Sequence, residues 1–133
     1  MSERELIDRV KFDGQGLVTA VAQDFETGDI LMLAYMNEQT LRQTLETGVM
    51  TYWSRSRAKV WVKGESSGNT QEVREIRIDC DGDAILFKVK QNGRAACHTG
   101  RRTCFYRRFE NGELIEEGEP IFDPGSVYQS PKS

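Results

Sequence analysis

The chain has 133 residues, of which 38% are hydrophobic and 29% charged, with only three prolines and a formal net charge of −3. That length suits one domain able to bury a core without disulfide staples, and the composition excludes disordered and fibrous chains. The mildly acidic balance excludes a protein whose whole surface attracts polyanions.

In chain order, "MSERELIDRV" is charged throughout and lacks an apolar run of signal-peptide length, and no later stretch approaches about 18 apolar residues. A cytoplasmic address and no membrane contact are expected. Leu6, Ile7 and Val10 recur at helical spacing and predict a short helix ending near Asp13-Gly14. "LVTAVAQDFETGDILMLAYM" predicts a hairpin of two largely buried strands turning at Thr27-Gly28-Asp29. In "NEQTLRQTLETG", Asn37 suits an N-cap, Leu41 and Leu45 sit one turn apart, and Gly48 suits a left-handed C-cap.

Next, "VMTYWS", "KVWVKG", "QEVREIRID" and "AILFKVKQ" are short β-prone runs punctuated by Gly, Asn and Asp. A weak last strand follows "ENGE", and residues 123–133 form a polar tail. The predicted class is α+β: a strand-rich, mainly antiparallel sheet with two short helices, in a single domain over 1–133 whose core spans about 16–108.

Chemistry concentrates in four stretches. "DCDGDA", residues 79–84, sets Asp79, Asp81 and Asp83 at every second position around a turn at Asp81-Gly82. Clustered carboxylates repel, and a hard cation such as Mg²⁺ offsets that repulsion; a plain acidic hairpin turn is the other reading. An EF-hand fails, because Ala84 and Lys90 stand where its glycine and glutamate belong. Alternate side chains of an extended stretch diverge, so the aspartates should face one way and Cys80 the other.

Cys80, Cys97 and Cys104 cannot all pair within one chain, and there is no C-x-x-C. Three thiolates suit a catalytic zinc with one open position, while buried structural thiols are the alternative; spacing leaves both open. His98, the only histidine, follows Cys97 and alone has an unperturbed pKa suited to moving protons near neutrality. "WSRSR" and "KGESSGN" offer Arg55, Arg57, Lys63, Ser67 and Asn69, and "HTGRR" adds Arg101, as candidate phosphate or ribose contacts; each also reads as a solvated charge. Trp53 and Trp61 read as core, with base stacking as the alternative.

Together and in this order, "MLAYMNEQTL", "TYWSRSR", "VWVKGESSGN", "REIRIDCDGDA" and "ACHTGRRTCFYR" resemble the phosphoribosyl-AMP cyclohydrolase family of histidine biosynthesis. The resemblance implies hydrolytic opening of the adenine ring at the C6–N1 bond of N1-(5-phosphoribosyl)-AMP by a zinc-activated water. It also implies zinc ligands Cys80, Cys97 and Cys104, one zinc per subunit shared across a homodimer, and magnesium ligands Asp79, Asp81 and Asp83. His98 is the candidate for the proton transfers. Two departures stand out: Val62 where many relatives have histidine, and a slightly expanded "GRAACHTG" before Cys97. A further pyrophosphohydrolase domain, present in some relatives, is not expected. The competing reading is a non-enzymatic zinc module holding RNA through its basic loops; the resemblance favours a small phosphorylated nucleotide and no nucleic acid.

Overall fold

The computed structural model describes residues 3–65, 67–93, 96 and 101–118. The element order is α1 (Glu3–Arg9), β1 (Val18–Asp24), β2 (Ile30–Met36), α2 (Glu38–Thr47), β3 (Thr51–Ser54), β4 (Lys59–Val62), β5 (Gln71–Ile78), β6 (Ala84–Gln91), β7 (Arg107–Glu110) and β8 (Glu113–Glu116). Two helices with a mostly antiparallel set of strands confirm the α+β class. The 123–133 tail lies outside the described residues.

Helix α1 stops at Arg9, short of the predicted end near Asp13. Lys11 N–H donates to the Gly82 carbonyl at 2.7 Å instead of continuing the helix, and Asp13 Oδ1 accepts from the N–H groups of Gln15 and Leu17 at 2.8 and 2.9 Å. That local side-chain bonding competes with helical hydrogen bonds. Helix α2 begins and ends where the caps predict. Asn37 Oδ1 accepts from Thr40 N–H at 2.8 Å, Thr40 Oγ1 returns the bond to Asn37 N–H at 3.0 Å, and Gly48 closes the helix at φ 76°. A cap of this kind stabilises a helix by about 1 kcal/mol.

The strands fall into three sheets. The main one has the order β2-β1-β6-β5, while β3-β4 and β7-β8 are separate antiparallel pairs. Strand β1 pairs β2 antiparallel through the expected hairpin, yet pairs β6 parallel, with Thr19 opposite Ala84 and Asp24 opposite Val89. Side chains alternate along β1 and β6, so Val18, Ala20 and Ala22 with Ile85, Phe87 and Val89 form a buried face. Leu31, Met36, Leu41, Met50 and Tyr52 complete one hydrophobic cluster against it. Strand β2 is less buried than expected, since Ile30 and Leu33 are exposed. Among the described residues no helix is long and apolar enough to cross a membrane.

Candidate functional site

Residues 79–84 join β5 to β6 in a tight turn: Asp79 N–H donates to the Ala84 carbonyl at 3.0 Å, and Gly82 N–H to the Asp79 carbonyl at 3.1 Å. Gly82 has φ 78°, and a Cβ there would lie 2.5 Å from the Arg9 carbonyl oxygen, so only glycine lets the segment after α1 press onto the turn. The "DG" signal in the sequence therefore encodes both a left-handed turn residue and a contact with α1.

The three aspartates do not behave alike. Asp83 donates its backbone N–H to Asp79 Oδ1 at 3.1 Å, which sets the two carboxyls close enough to shift each other's titration in opposite directions. The hydrogen bond to Asp79, then the negative charge of Asp79, push the Asp83 carboxyl above its ordinary value. Partial desolvation raises Asp79 too, but the Asp83 contact and the N–H groups of Gly82, Asp83 and Ala84 outweigh it and hold Asp79 low. Asp81 sits instead beside Cys80, whose Sγ lies 3.7 Å from Asp81 Oδ1. The expected alternation fails here because residues 80–83 form a turn, not an extended stretch. Among the described residues no three His, Cys, Asp or Glu side chains form a group that could hold a metal ion.

Neighbouring carboxylates repel when both are ionised, and their oxygens are the donor type that a hard divalent cation takes. The sign of the pH effect follows. A raised folded-state value means that Asp83 favours folding while protonated and loses that contribution as pH rises through its folded value. Asp83→Asn is therefore expected to raise the melting temperature slightly at neutral pH in chelator, an advantage fading as pH falls toward 3.8, and to abolish any rise produced by Mg²⁺. Thermal melts with and without Mg²⁺ check both; an Mg²⁺ response surviving in the variant would remove Asp83 from the ligand set.

Cys80 and Cys104 are both exposed thiols, an uncommon state for a residue type that is usually buried when it serves packing. That exposure fits soft ligands for zinc and weighs against the buried-thiol reading. They lie at opposite ends of the main sheet. Cys104 N–H donates to the Leu31 carbonyl at 2.7 Å, at the level where Ala22 and Gln23 face Met32 and Ile30. Cys80 lies beyond Ala84, which faces Thr19. The offset is at least three residues along the strands and two strands across, about 10 Å in each direction. Two thiolates on one zinc stand no farther apart than about 4.6 Å, twice the usual bond length. Cys80 and Cys104 of one chain therefore cannot share a zinc.

Cys97 and His98 lie outside the described residues, but both ends of their segment are anchored. Ala96 N–H donates to the Arg102 carbonyl at 3.0 Å, and Thr103 Oγ1 donates to the Ile30 carbonyl at 2.7 Å. Behind Cys104, burial and then the charge of that thiolate push the Tyr52 hydroxyl well above its ordinary value, so it stays a donor, to Gln71 Oε1 at 2.8 Å.

The candidate phosphate contacts are dispersed. Arg55 lies over the Tyr35 ring at 4.0 Å, and Arg57 is exposed with its N–H on Ser54 Oγ at 3.2 Å. Lys63 and Asn69 are buried, and Ser67 Oγ accepts from Asn69 N–H at 3.2 Å. Arg101 stacks on Tyr106 at 4.2 Å and pairs with Glu116 at 3.2 Å. Trp61 is 40% exposed against Tyr52, with ring centroids 5.3 Å apart, and so is less buried than a core tryptophan.

The family model described as phosphoribosyl-AMP cyclohydrolase matches residues 32–106. The chain belongs to the phosphoribosyl-AMP cyclohydrolase family. Proteins of that name from Geotalea uraniireducens, Methanococcoides burtonii and Chromobacterium violaceum are 59%, 57% and 54% identical to it. These similarities cover 86%, 92% and 92% of this chain and 91%, 98% and 92% of the relatives. Membership makes the chain an enzyme of the hydrolase class, acting on a cyclic amidine. The residues matched by the cyclohydrolase family model include the β5–β6 turn with its aspartates, all three cysteines and His98.

Proposed function

We propose that this protein hydrolyses the C6–N1 bond of N1-(5-phosphoribosyl)-AMP in the cytoplasm, as a step of histidine biosynthesis, in a homodimer that holds one zinc ion per subunit. Membership of the cyclohydrolase family carries the reaction. The observation that carries the site is the pair of exposed thiols, Cys80 and Cys104, set too far apart to serve one metal within a chain. Cys80 of one subunit would join Cys104 of the other, with Cys97 as third ligand. Phe105, Phe109 and Leu114, 57%, 73% and 66% exposed, support burial of this side against a second copy.

Zinc held by these thiolates would supply an ionised water at ordinary pH by lowering the pKa of a bound water toward neutrality. The chain's own residues do the rest. Hydrolysis puts the oxygen of water on C6 as the C6–N1 bond breaks and its two protons on N1 and on the exocyclic nitrogen of C6, and His98, next to Cys97 in sequence, is the candidate to move those protons. Asp79, Asp81 and Asp83 would hold Mg²⁺, Asp81 by turning from Cys80 toward the other two. Of the candidate contacts, Arg55 and Arg57 are the exposed cations on the β3–β4 turn, where a phosphate can reach them.

The structure weighs against the RNA-holding alternative, since Arg101, Arg102, Arg107 and Arg108 in the basic stretch each pair with a carboxylate. Ring opening followed by ultraviolet absorbance tests the reading. Turnover is expected with zinc-loaded protein and is expected to disappear when a chelator strips the zinc; undiminished turnover after stripping would overturn the zinc assignment.

A further inference from the structure

Arg102 ties the segment before Cys104 to the β1–β2 hairpin. Its Nη2 donates to Asp24 Oδ2 at 2.9 Å, Thr27 Oγ1 at 3.1 Å and Asp29 Oδ2 at 3.2 Å, all on the β1–β2 hairpin. Its carbonyl accepts from Ala96 N–H at 3.0 Å, the residue before Cys97. Two residues later Cys104 N–H is fixed on the Leu31 carbonyl at 2.7 Å. Asp24 is itself pinned, because its Oδ1 accepts from the N–H groups of Glu26 and Thr27 at 2.7 and 3.0 Å and its side chain is only 12% exposed.

We propose that Arg102, gripped by Asp24 and Asp29, is the positioning residue that holds Ala96 and Cys104, and so the Cys104 thiol as a zinc ligand, in place for metal binding. The side chain carries the grip and the main chain carries the consequence. Without the ion pair the described part of the segment keeps the Cys104 N–H and Thr103 Oγ1 bonds to β2 but loses its tie to the β1–β2 hairpin, and Cys104 is held less firmly. The inference rests on the zinc reading above and adds to it the second tier of contacts that tunes ligands in metal sites.

All three contacts converge on one nitrogen, and a lysine ammonium has three donors, so Arg102→Lys can replace the grip whereas Arg102→Met keeps only the bulk. Asp24→Asn keeps an oxygen for the hairpin N–H groups but turns an amide donor toward the guanidinium. In zinc-loaded full-length protein, with zinc release followed by the chelator 4-(2-pyridylazo)resorcinol, Arg102→Met and Asp24→Asn are expected to lose zinc about tenfold faster or more. Arg102→Lys should stay near wild type, whereas in Arg102→Met and Asp24→Asn kcat should fall with KM held. A purely packing role predicts no difference, with methionine as good as lysine.

Wild-type release rates in folded Arg102→Met and Asp24→Asn proteins would overturn this inference alone. A wild type that holds no zinc would overturn the ligand assignment and this inference with it. Amide hydrogen exchange of the zinc-free wild type adds a check that needs no variant. Cys104 N–H should be protected like the strands of the main sheet, and exchange at an unprotected rate would show that the clamp does not hold in solution.

Discussion

Mixing Cys80→Ala with Cys104→Ala protein under conditions that exchange subunits is expected to restore about one quarter of wild-type activity, although each variant alone is inactive. On the proposed site each single variant would lose a direct zinc ligand, so its activity should fall by more than about 100-fold, the upper end of what loss of an outer contact causes. The expected restoration follows from the sheet. Because Cys80 sits beyond Ala84 at one end and Cys104 on Leu31 at the other, a zinc site using both thiols would draw them from two chains. In a mixed dimer one site then receives both alanines and the other receives none. Random exchange makes about half of the dimers mixed, each with one of two sites intact. No recovery, in a preparation shown by mass to contain mixed dimers, would return both thiols to one chain and contradict the sheet register.

The second large effect is at His98. Its substitution by alanine is expected to leave zinc content unchanged and to lower turnover by about 10²-fold or more, the usual contribution of a positioned general acid or base. Zinc should survive because three thiolates already supply the ligands that a catalytic site needs. The pH profile separates proton transfer from simple packing. Loss of a group titrating near neutrality should flatten the limb of the profile that it controls, whereas a packing defect lowers every point by the same factor. Metal analysis beside the kinetics decides the matter: if zinc leaves with the imidazole, His98 is a ligand and not a proton carrier.

Where local chemistry dominates, the sequence was readable. Asn37, Thr40 and Gly48 carry the whole capping arrangement of α2, and each bond closes within a few residues. The hairpin of β1 and β2 was legible for the same reason, since Asp24, Thr27 and Gly28 bond among themselves. The end of α1 was not, because a carbonyl more than seventy residues away, on Gly82, takes the N–H of Lys11. Arg102 was passed over as one member of a basic run, and Asp24, outside the predicted turn, was not singled out. Nothing in either stretch signals that residues 78 positions apart pair.

By itself the sequence determined the α+β class, the position of α2, the turn at Asp81-Gly82 and the family, because periodicity, caps and joint motifs are written in neighbouring residues. Only the tertiary structure decided that β1 runs parallel to β6, that Asp79 and Asp83 pair while Asp81 turns to Cys80, and that two cysteines of one chain lie at opposite ends of a sheet. The second follows from the local turn at residues 80–83, and the first and third share one physical reason. Strand partners and register are chosen by burial of a whole face at once, and that choice, not the spacing of residues along the chain, sets which side chains can meet.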